Sequence, residues 1–257
     1  MPPATPQPLP ENAGLAFVGE TLWPPAAVTT AQVRAIETAR NPTGRPNSDV
    51  LRHIIGYKLG HAQEHRSIDF PDQSTAQEAA LYQMPWQLLR TQLQDPAGRW
   101  WLNPFAQREL RTTLARLERY LATPLAAPDP AWDWIDSNRL PDDSLLVVAR
   151  DDDFAQGLLS SRLFLLWWRQ CSAKVSPPSR VASFPFPWPP ATRLSSLSRT
   201  QEEQRLTLAR AARGADLEQL NAAATAAYGW PAQLTGDEAL DRLKALHQHR
   251  SAVGRDR

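Results

Sequence analysis

The segment from Val181 to Pro190, in which aromatic rings alternate with prolines, constrains the fold of this chain more than any other. Each proline fixes φ near about −65° and lacks a backbone N–H, which excludes the segment from helix interiors and from central strands. It must run extended over a surface. We therefore predict that Phe184, Phe186 and Trp188 are mostly buried in their own domain. The alternative is an exposed proline-rich segment that binds a partner protein.

Composition indicates a globular protein of one large domain, or one domain with a small appendage. The chain has 257 residues, and 42% of them are hydrophobic, which is enough to form a core. Cys171 is the single cysteine, which excludes a disulfide framework and fits a reducing, cytoplasmic location. No apolar run approaches the roughly 18 residues that span a membrane, and the N-terminus does not resemble a signal peptide.

The positive charges are almost all arginines. The formal net charge is only +1, yet 25 of the 28 basic residues are arginine, and the lysines are Lys58, Lys174 and Lys244. The planar guanidinium suits bidentate contacts to phosphate and guanine. A GC-rich genome would produce the same bias, so both explanations stay open.

Local patterns predict a mixture of strands and helices. Short strands are expected at 14–18, 50–55, 67–70 and 145–149, and helices at 30–38, 73–82 and 157–168. Thr75 with Glu78, and Thr235 with Glu238, have the spacing of capping boxes. After Pro190 the aromatic residues thin out, and Ala, Leu, Gln, Glu and Arg indicate helices to the end.

The range 108–121 is predicted to be the clearest helix. Leucines at 110, 114, 117 and 121 share one face at about 100° per residue, and arginines at 108, 111, 116 and 119 share the other. The arginine face is either a solvated surface or a phosphate-contacting one, since like charges at this density repel unless a polyanion screens them.

Several blocks occur in an order that resembles a known family. They include Leu145–Arg162, Phe184–Pro190 and Tyr228–Pro231, preceded by blocks at 41–50, 68–82, 100–124 and 132–140. In this order they resemble the C-terminal half of the large bacterial, class I S-adenosylmethionine-dependent DNA methyltransferases of the MmeI-like restriction–modification group. The chain departs from the family pattern between Gly56 and Arg66, at Asn221, and in the loop 125–130, which lacks basic residues.

The resemblance implies an α+β fold in which a mixed-sheet target recognition domain with packed helices precedes a small all-helical C-terminal domain. We place the recognition domain at 14–190 and the helical domain at 195–257, after a proline-rich N-terminus at 1–13 that we expect to be disordered. Double-stranded DNA is the implied partner. The arginines expected to contact DNA are Arg99, Arg108, Arg111, Arg119 and Arg150.

The motifs for methyl transfer are missing from the sequence. Adenine-directed enzymes need an Asn/Asp-Pro-Pro-aromatic motif and a glycine-containing turn for S-adenosylmethionine. Asn41-Pro42-Thr43-Gly44 lacks the second proline and the ring. We therefore expect no cofactor in this chain and no methyl transfer by it alone. In the complete enzyme, a separately encoded or truncated-away catalytic domain would bind S-adenosylmethionine. An enzyme with an unrecognised site remains the alternative.

Two sets of residues could suggest a metal site, and we expect none at either. Asp151-Asp152-Asp153 are consecutive in a predicted turn, where neighbouring side chains point apart. His53, His61 and His65 have no carboxylate at a fixed spacing.

Overall fold

The computed structural model of the protein describes residues 5–41, 43–93 and 97–253. Strands and helices are interspersed, which confirms the predicted α+β class. The strands are β1 (Ala16–Val18), β2 (Ala27–Val28), β3 (Leu51–Lys58), β4 (His61–Ile68), β5 (Arg119–Pro124), β6 (Asp133–Asp136), β7 (Arg139–Pro141) and β8 (Leu145–Val148). The helices are α1 (Thr30–Thr38), α2 (Ala76–Ala80), α3 (Gln83–Gln92), α4 (Arg108–Leu114), α5 (Asp153–Leu159), α6 (Arg162–Gln170), α7 (Pro177–Ala182), α8 (Arg199–Ala212), α9 (Leu217–Ala227) and α10 (Gly236–Val253). Within the described ranges, no helix is both long enough and apolar enough to cross a membrane.

The chain forms two compact units that do not follow the predicted domain boundary. One, here called the hairpin unit, contains residues 18–115 and 136–145. The other, the tail unit, contains the described residues of 1–17, 116–135 and 146–257. The expected boundary at 191–195 lies inside the tail unit because Leu208, Leu220 and Leu243 are buried in the same core as Phe184. The C-terminal helices therefore share one core with the Phe-Pro segment.

The hairpin unit is built on a mixed four-stranded sheet with the order β2-β4-β3-β7. Strands β2 and β3 run antiparallel to β4, and β7 runs parallel to β3. The core below it holds Ile36, Ile68, Phe70 and Leu89. Helix α1 begins with a capping box at Thr29, and the predicted capping box of Thr75 and Glu78 begins α2. The buried sheet face and these capped helices fix the unit's core.

The tail unit packs helices around a sheet with the order β1-β8-β5-β6. Strand β8 is buried at every position, as its continuous apolar run predicts. Its neighbours in the core include rings on α6 and in the Phe-Pro segment. Gly157 on α5 allows close approach of α8, because a Cβ there would lie 2.9 Å from the Leu208 side chain.

Two predicted helices differ from the structure. The helix expected at 108–121 ends at Leu114, and residues from Arg119 form β5. The spacing of the leucines does not distinguish one helix over 108–121 from a helix that ends at Leu114 and is followed by a strand from Arg119. Tyr120 and Leu121 are fully buried in that strand, which lies between β8 and β6. The helix expected at 157–168 is instead α5 and α6, because Ser161 caps a new helix with its side chain.

The predicted disorder of residues 1–13 is not found where the structure describes the segment. Residues 1–4 lie outside the described part. Leu9 is buried, its N–H donates to the Ala182 carbonyl at 2.9 Å, and the Asn12 side-chain amide donates to the carbonyls of Ala182 and Phe184. Prolines reduce the entropy lost when an extended segment is ordered, so this segment can pack with few contacts.

Candidate nucleic-acid interface

Arg111 is at the centre of a buried ion-pair cluster in the hairpin unit. Its Nε and Nη2 atoms donate to the two carboxylate oxygens of Glu20 at 2.6 and 2.7 Å. Its Nη1 atom donates to both oxygens of Asp69, at 3.1 and 3.2 Å. Only 17% of the Arg111 side chain is exposed, and only 5% of the Glu20 and Asp69 side chains. This guanidinium is bonded within the unit and has no geometry left for a phosphate.

The charge of Arg111 is stabilised by its surroundings. Burial alone would lower the pKa of Arg111, but the hydrogen bonds that Arg111 donates to Glu20 and the negative charges of Asp69, Glu20 and Asp72 outweigh it. The pKa is therefore raised above its usual range. Arg111, which was expected to contact DNA, is placed with its guanidinium bonded to Glu20 and Asp69 inside the hairpin unit.

Arg99 and Arg108 lie at the exposed edge of the same cluster. Arg99 Nη2 donates to the Asp72 backbone carbonyl at 3.4 Å, and Arg108 Nε lies 3.7 Å from the Asp72 carboxylate, which also contacts Arg111 at 3.4 Å. The Arg108 side chain is 75% exposed. Long, weak contacts of this kind hold an arginine in place without saturating its donors. Arg99 and Arg108 therefore remain available to an anion.

Arg119 and Arg150 flank the Asp151–Asp153 turn in the tail unit. Arg119 lies over the Trp134 ring at 3.8 Å and donates to Asp153 at 2.7 Å. Asp153 is buried and also accepts from Arg213. Arg150 donates to Asp152 at 2.8 Å and to the Pro190 carbonyl at 2.5 Å. Both arginines tie the turn to neighbouring elements, and each keeps part of its guanidinium exposed.

A cavity of about 380 Å³ opens beside this turn. Its apolar wall is Trp188 stacked on Phe154, with ring centroids 4.8 Å apart. Its polar wall includes Arg150, Arg193 and Arg205. Arg205 is bonded to both oxygens of Glu202, at 2.7 and 2.8 Å.

The residues considered for metal binding do not converge. In the described part of the chain, no group of three His, Cys, Asp or Glu side chains is placed to hold an ion. Asp152 caps α5 through its side chain, and Asp153 is ion-paired. Strand pairing places His61 and His65 on the opposite sheet face from His53. Cys171 is buried, and burial raises the pKa of its thiol to about 11.

The Phe-Pro segment is confirmed as part of the core. Phe184 and Phe186 are buried and Trp188 is half-buried. Phe184 makes edge-on ring contacts with Phe164 and Phe186 at 5.1 and 5.0 Å. The two phenyl rings are therefore not available to a partner protein, which removes the basis of the alternative interaction module.

Comparison with solved structures finds a protein of similar fold. The chain aligns with the type IIL restriction–modification enzyme MmeI, solved in complex with DNA, at a TM-score of 0.50 and 12% identity. The fold is shared with part of MmeI. The alignment covers 96% of this chain and 35% of the MmeI chain, so this chain spans about a third of that enzyme's length. No protein-family model matches the chain, and no curated protein matches it.

Sequence reasoning missed the partners of the arginines. Glu20 lies 91 positions before Arg111, and Asp69 lies 42 positions before it. No local pattern links them, because the carboxylates come from the segment after β1 and from the end of β4. A usable signal was the position of Asp69 directly after an apolar strand end, where a carboxylate is buried and must be paired.

Proposed function

We propose that this chain is the sequence-specific DNA recognition part of an adenine-specific (N6) DNA methyltransferase of a restriction–modification system. The observation that carries the proposal is the fold similarity to MmeI, a DNA-bound enzyme, over nearly the whole of this chain. The ordered blocks from 41 to 231 support the same relationship independently of the fold.

The catalytic residues of the proposed enzyme lie outside this sequence. The chain lacks the Asn/Asp-Pro-Pro-aromatic motif and a glycine-containing cofactor turn. S-adenosylmethionine would bind a methyltransferase core that is either another part of the same protein or a separately encoded partner. This chain would then supply the contacts to duplex DNA that select the target site.

Arg99 and Arg108 are the proposed phosphate anchors in the hairpin unit. Both are exposed and held around Asp72 by contacts of 3.4 and 3.7 Å. In the tail unit, Arg119 and Arg150 offer partly exposed guanidiniums beside the Asp turn. Arg111 would act indirectly, because its buried bonds to Glu20 and Asp69 hold the start of α4 against the sheet.

We expect the purified chain to bind labelled duplex DNA with a steep salt dependence. The double variant Arg99→Ala/Arg108→Ala should weaken binding on all sequences and reduce the slope of log K against log [salt] by about 1.8, since each lost phosphate contact contributes about 0.9. The measurement is fluorescence anisotropy over a salt series.

Arg199→Ala is the matched control, because this arginine is 93% exposed on α8, where it pairs with Glu203. It should leave the slope unchanged. Absence of duplex binding by the wild-type chain would contradict the proposed function. Equal slopes for wild type and the double variant would reassign the phosphate contacts to other residues.

A further inference from the structure

The hairpin of β3 and β4 projects beyond its sheet. Its eight-residue strands pair over their full length, from Leu51 with Ile68 to Lys58 with His61. Strand β7 pairs with β3 only at 53–55, and β2 pairs with β4 only at 66–67. Residues 142–144 continue beside β3 as far as Tyr57, whose N–H donates to Ser144 Oγ at 2.7 Å. Over 58–61 the described structure is a ribbon two strands wide. A ribbon of this width fits the major groove of B-DNA, which is about 12 Å wide.

The two faces of this hairpin differ in charge. Because directly paired residues share a face, one face contains Lys58, His61, Gln63 and His65; we call it the donor face. Lys58, His61 and His65 are exposed and Gln63 is half-buried. The acidic group on this side is Asp142, which lies over Gly56, is 7% exposed and bonds to the Ser144 amide at 3.0 Å.

The opposite face of the sheet is neutralised by its own residues. Arg139 donates to Glu64 at 2.7 Å, and Arg66 lies 3.8 Å from Glu37. His53 lies among these groups, where burial and the positive charges of Arg66 and Arg139 lower its pKa. The donor face thus presents hydrogen-bond donors and positive charge outward, whereas the other face is paired internally.

The tip of the hairpin has an unusual residue. The turn is Leu59-Gly60, and both residues have positive φ, at 53° and 85°, as in a type I′ turn. Leucine is poorly suited to this conformation, which favours Asn or Gly. Leu59 is nevertheless 89% exposed to solvent. An apolar side chain kept at a strained, exposed tip is best explained by a contact made outside the chain, and an apolar group can contact the thymine methyl.

We propose that the β3–β4 hairpin enters the major groove of duplex DNA and reads bases through its donor face and Leu59. Lys58 and Gln63 supply donors to base edges, and Leu59 supplies an apolar contact at the tip. This inference rests on the proposed function, because it names the element that carries sequence recognition. Duplex DNA is the occupant that fits both the ribbon's width and the positive charge of one face.

The sharpest test is Leu59→Asn, which suits the type I′ turn better than leucine does. The variant should melt at the wild-type temperature or higher, yet bind the preferred duplex about tenfold more weakly, the scale of one lost base contact. Lys58→Gln should weaken binding to the same duplex by a similar factor. The readouts are thermal melts and anisotropy titrations with a labelled duplex recovered by selection from a random pool.

Arg139→Gln is the control, because it removes one positive charge from the opposite face of the same sheet. It should leave DNA affinity unchanged. If the wild type selects and binds a duplex but Leu59→Asn and Lys58→Gln bind it as tightly, the hairpin inference is overturned while the proposed function stands. If the wild type binds no duplex, the proposed function fails and the inference fails with it.

Discussion

Arg111→Ala is expected to destabilise the protein by about 3–5 kcal/mol, because it would leave buried carboxylates without a counter-charge. Glu20 and Asp69 are each 5% exposed and both depend on the Arg111 guanidinium. Their desolvation is offset only while that partner is present. Urea denaturation followed by tryptophan fluorescence would measure the change, since Trp86, Trp100 and Trp101 lie in the hairpin unit.

Arg108→Ala is the control on the same helix. Its guanidinium is 75% exposed and 3.7 Å from Asp72, so its loss should change the free energy of unfolding by no more than about 0.5 kcal/mol. Equal effects of the two substitutions would mean that the Arg111 cluster is hydrated and contributes no more than a surface pair.

Phe184→Ala is expected to lower the free energy of unfolding by about 3–5 kcal/mol, because it creates a cavity in the core. The ring is fully buried and contacts Phe164, Phe186 and Trp167. Its removal opens a cavity between rigid aromatic rings, which relax poorly into the space. Phe105→Ala removes the same group from a position that is 48% exposed, so the control should melt close to the wild type. If Phe184→Ala melts at the same temperature as the wild type, the Phe-Pro segment does not stabilise the core.

Steric rules were sufficient to predict the Phe-Pro segment and the helix starts. Prolines excluded regular structure from 184–190, and the aromatic residues between them had to be buried somewhere. Thr75 and Thr235 were identified because the capping box depends only on residues three positions apart. These features are local, so a single sequence contains all the information that they require.

The strand after the Leu59-Gly60 turn was missed for a physical reason. Periodicity reveals a strand when one face is buried and the other is solvated. From His61 to Arg66 both faces are largely polar, so the alternation is absent. A two-stranded ribbon that projects from its sheet has no buried face over this stretch. Because the side chains from His61 to Arg66 are largely polar on both faces of β4, the sequence pattern does not reveal the strand, and most of these side chains are exposed to solvent.

The break after Leu114 could not be read from the sequence either. The leucines at 110 and 114 belong to α4, and the residues at 120 and 121 belong to β5, in the other compact unit. The spacing of leucines over two helical turns does not show that the chain passes from one compact unit to the other after residue 115. The arginines assigned to one helix face therefore occupy different environments: Arg108 and Arg116 are exposed as expected, whereas Arg111 and Arg119 are partly buried and ion-paired.

The most direct measurement of sequence-specific recognition is selection of bound duplexes from a randomised DNA pool by the purified chain. DNA recognition by this chain predicts that one consensus is enriched, and that a duplex carrying it binds at least roughly a thousandfold more tightly than a scrambled duplex, the lower end for specific sites. Recovery of an unenriched pool, with equal affinity for all duplexes at each salt concentration, would contradict sequence-specific recognition.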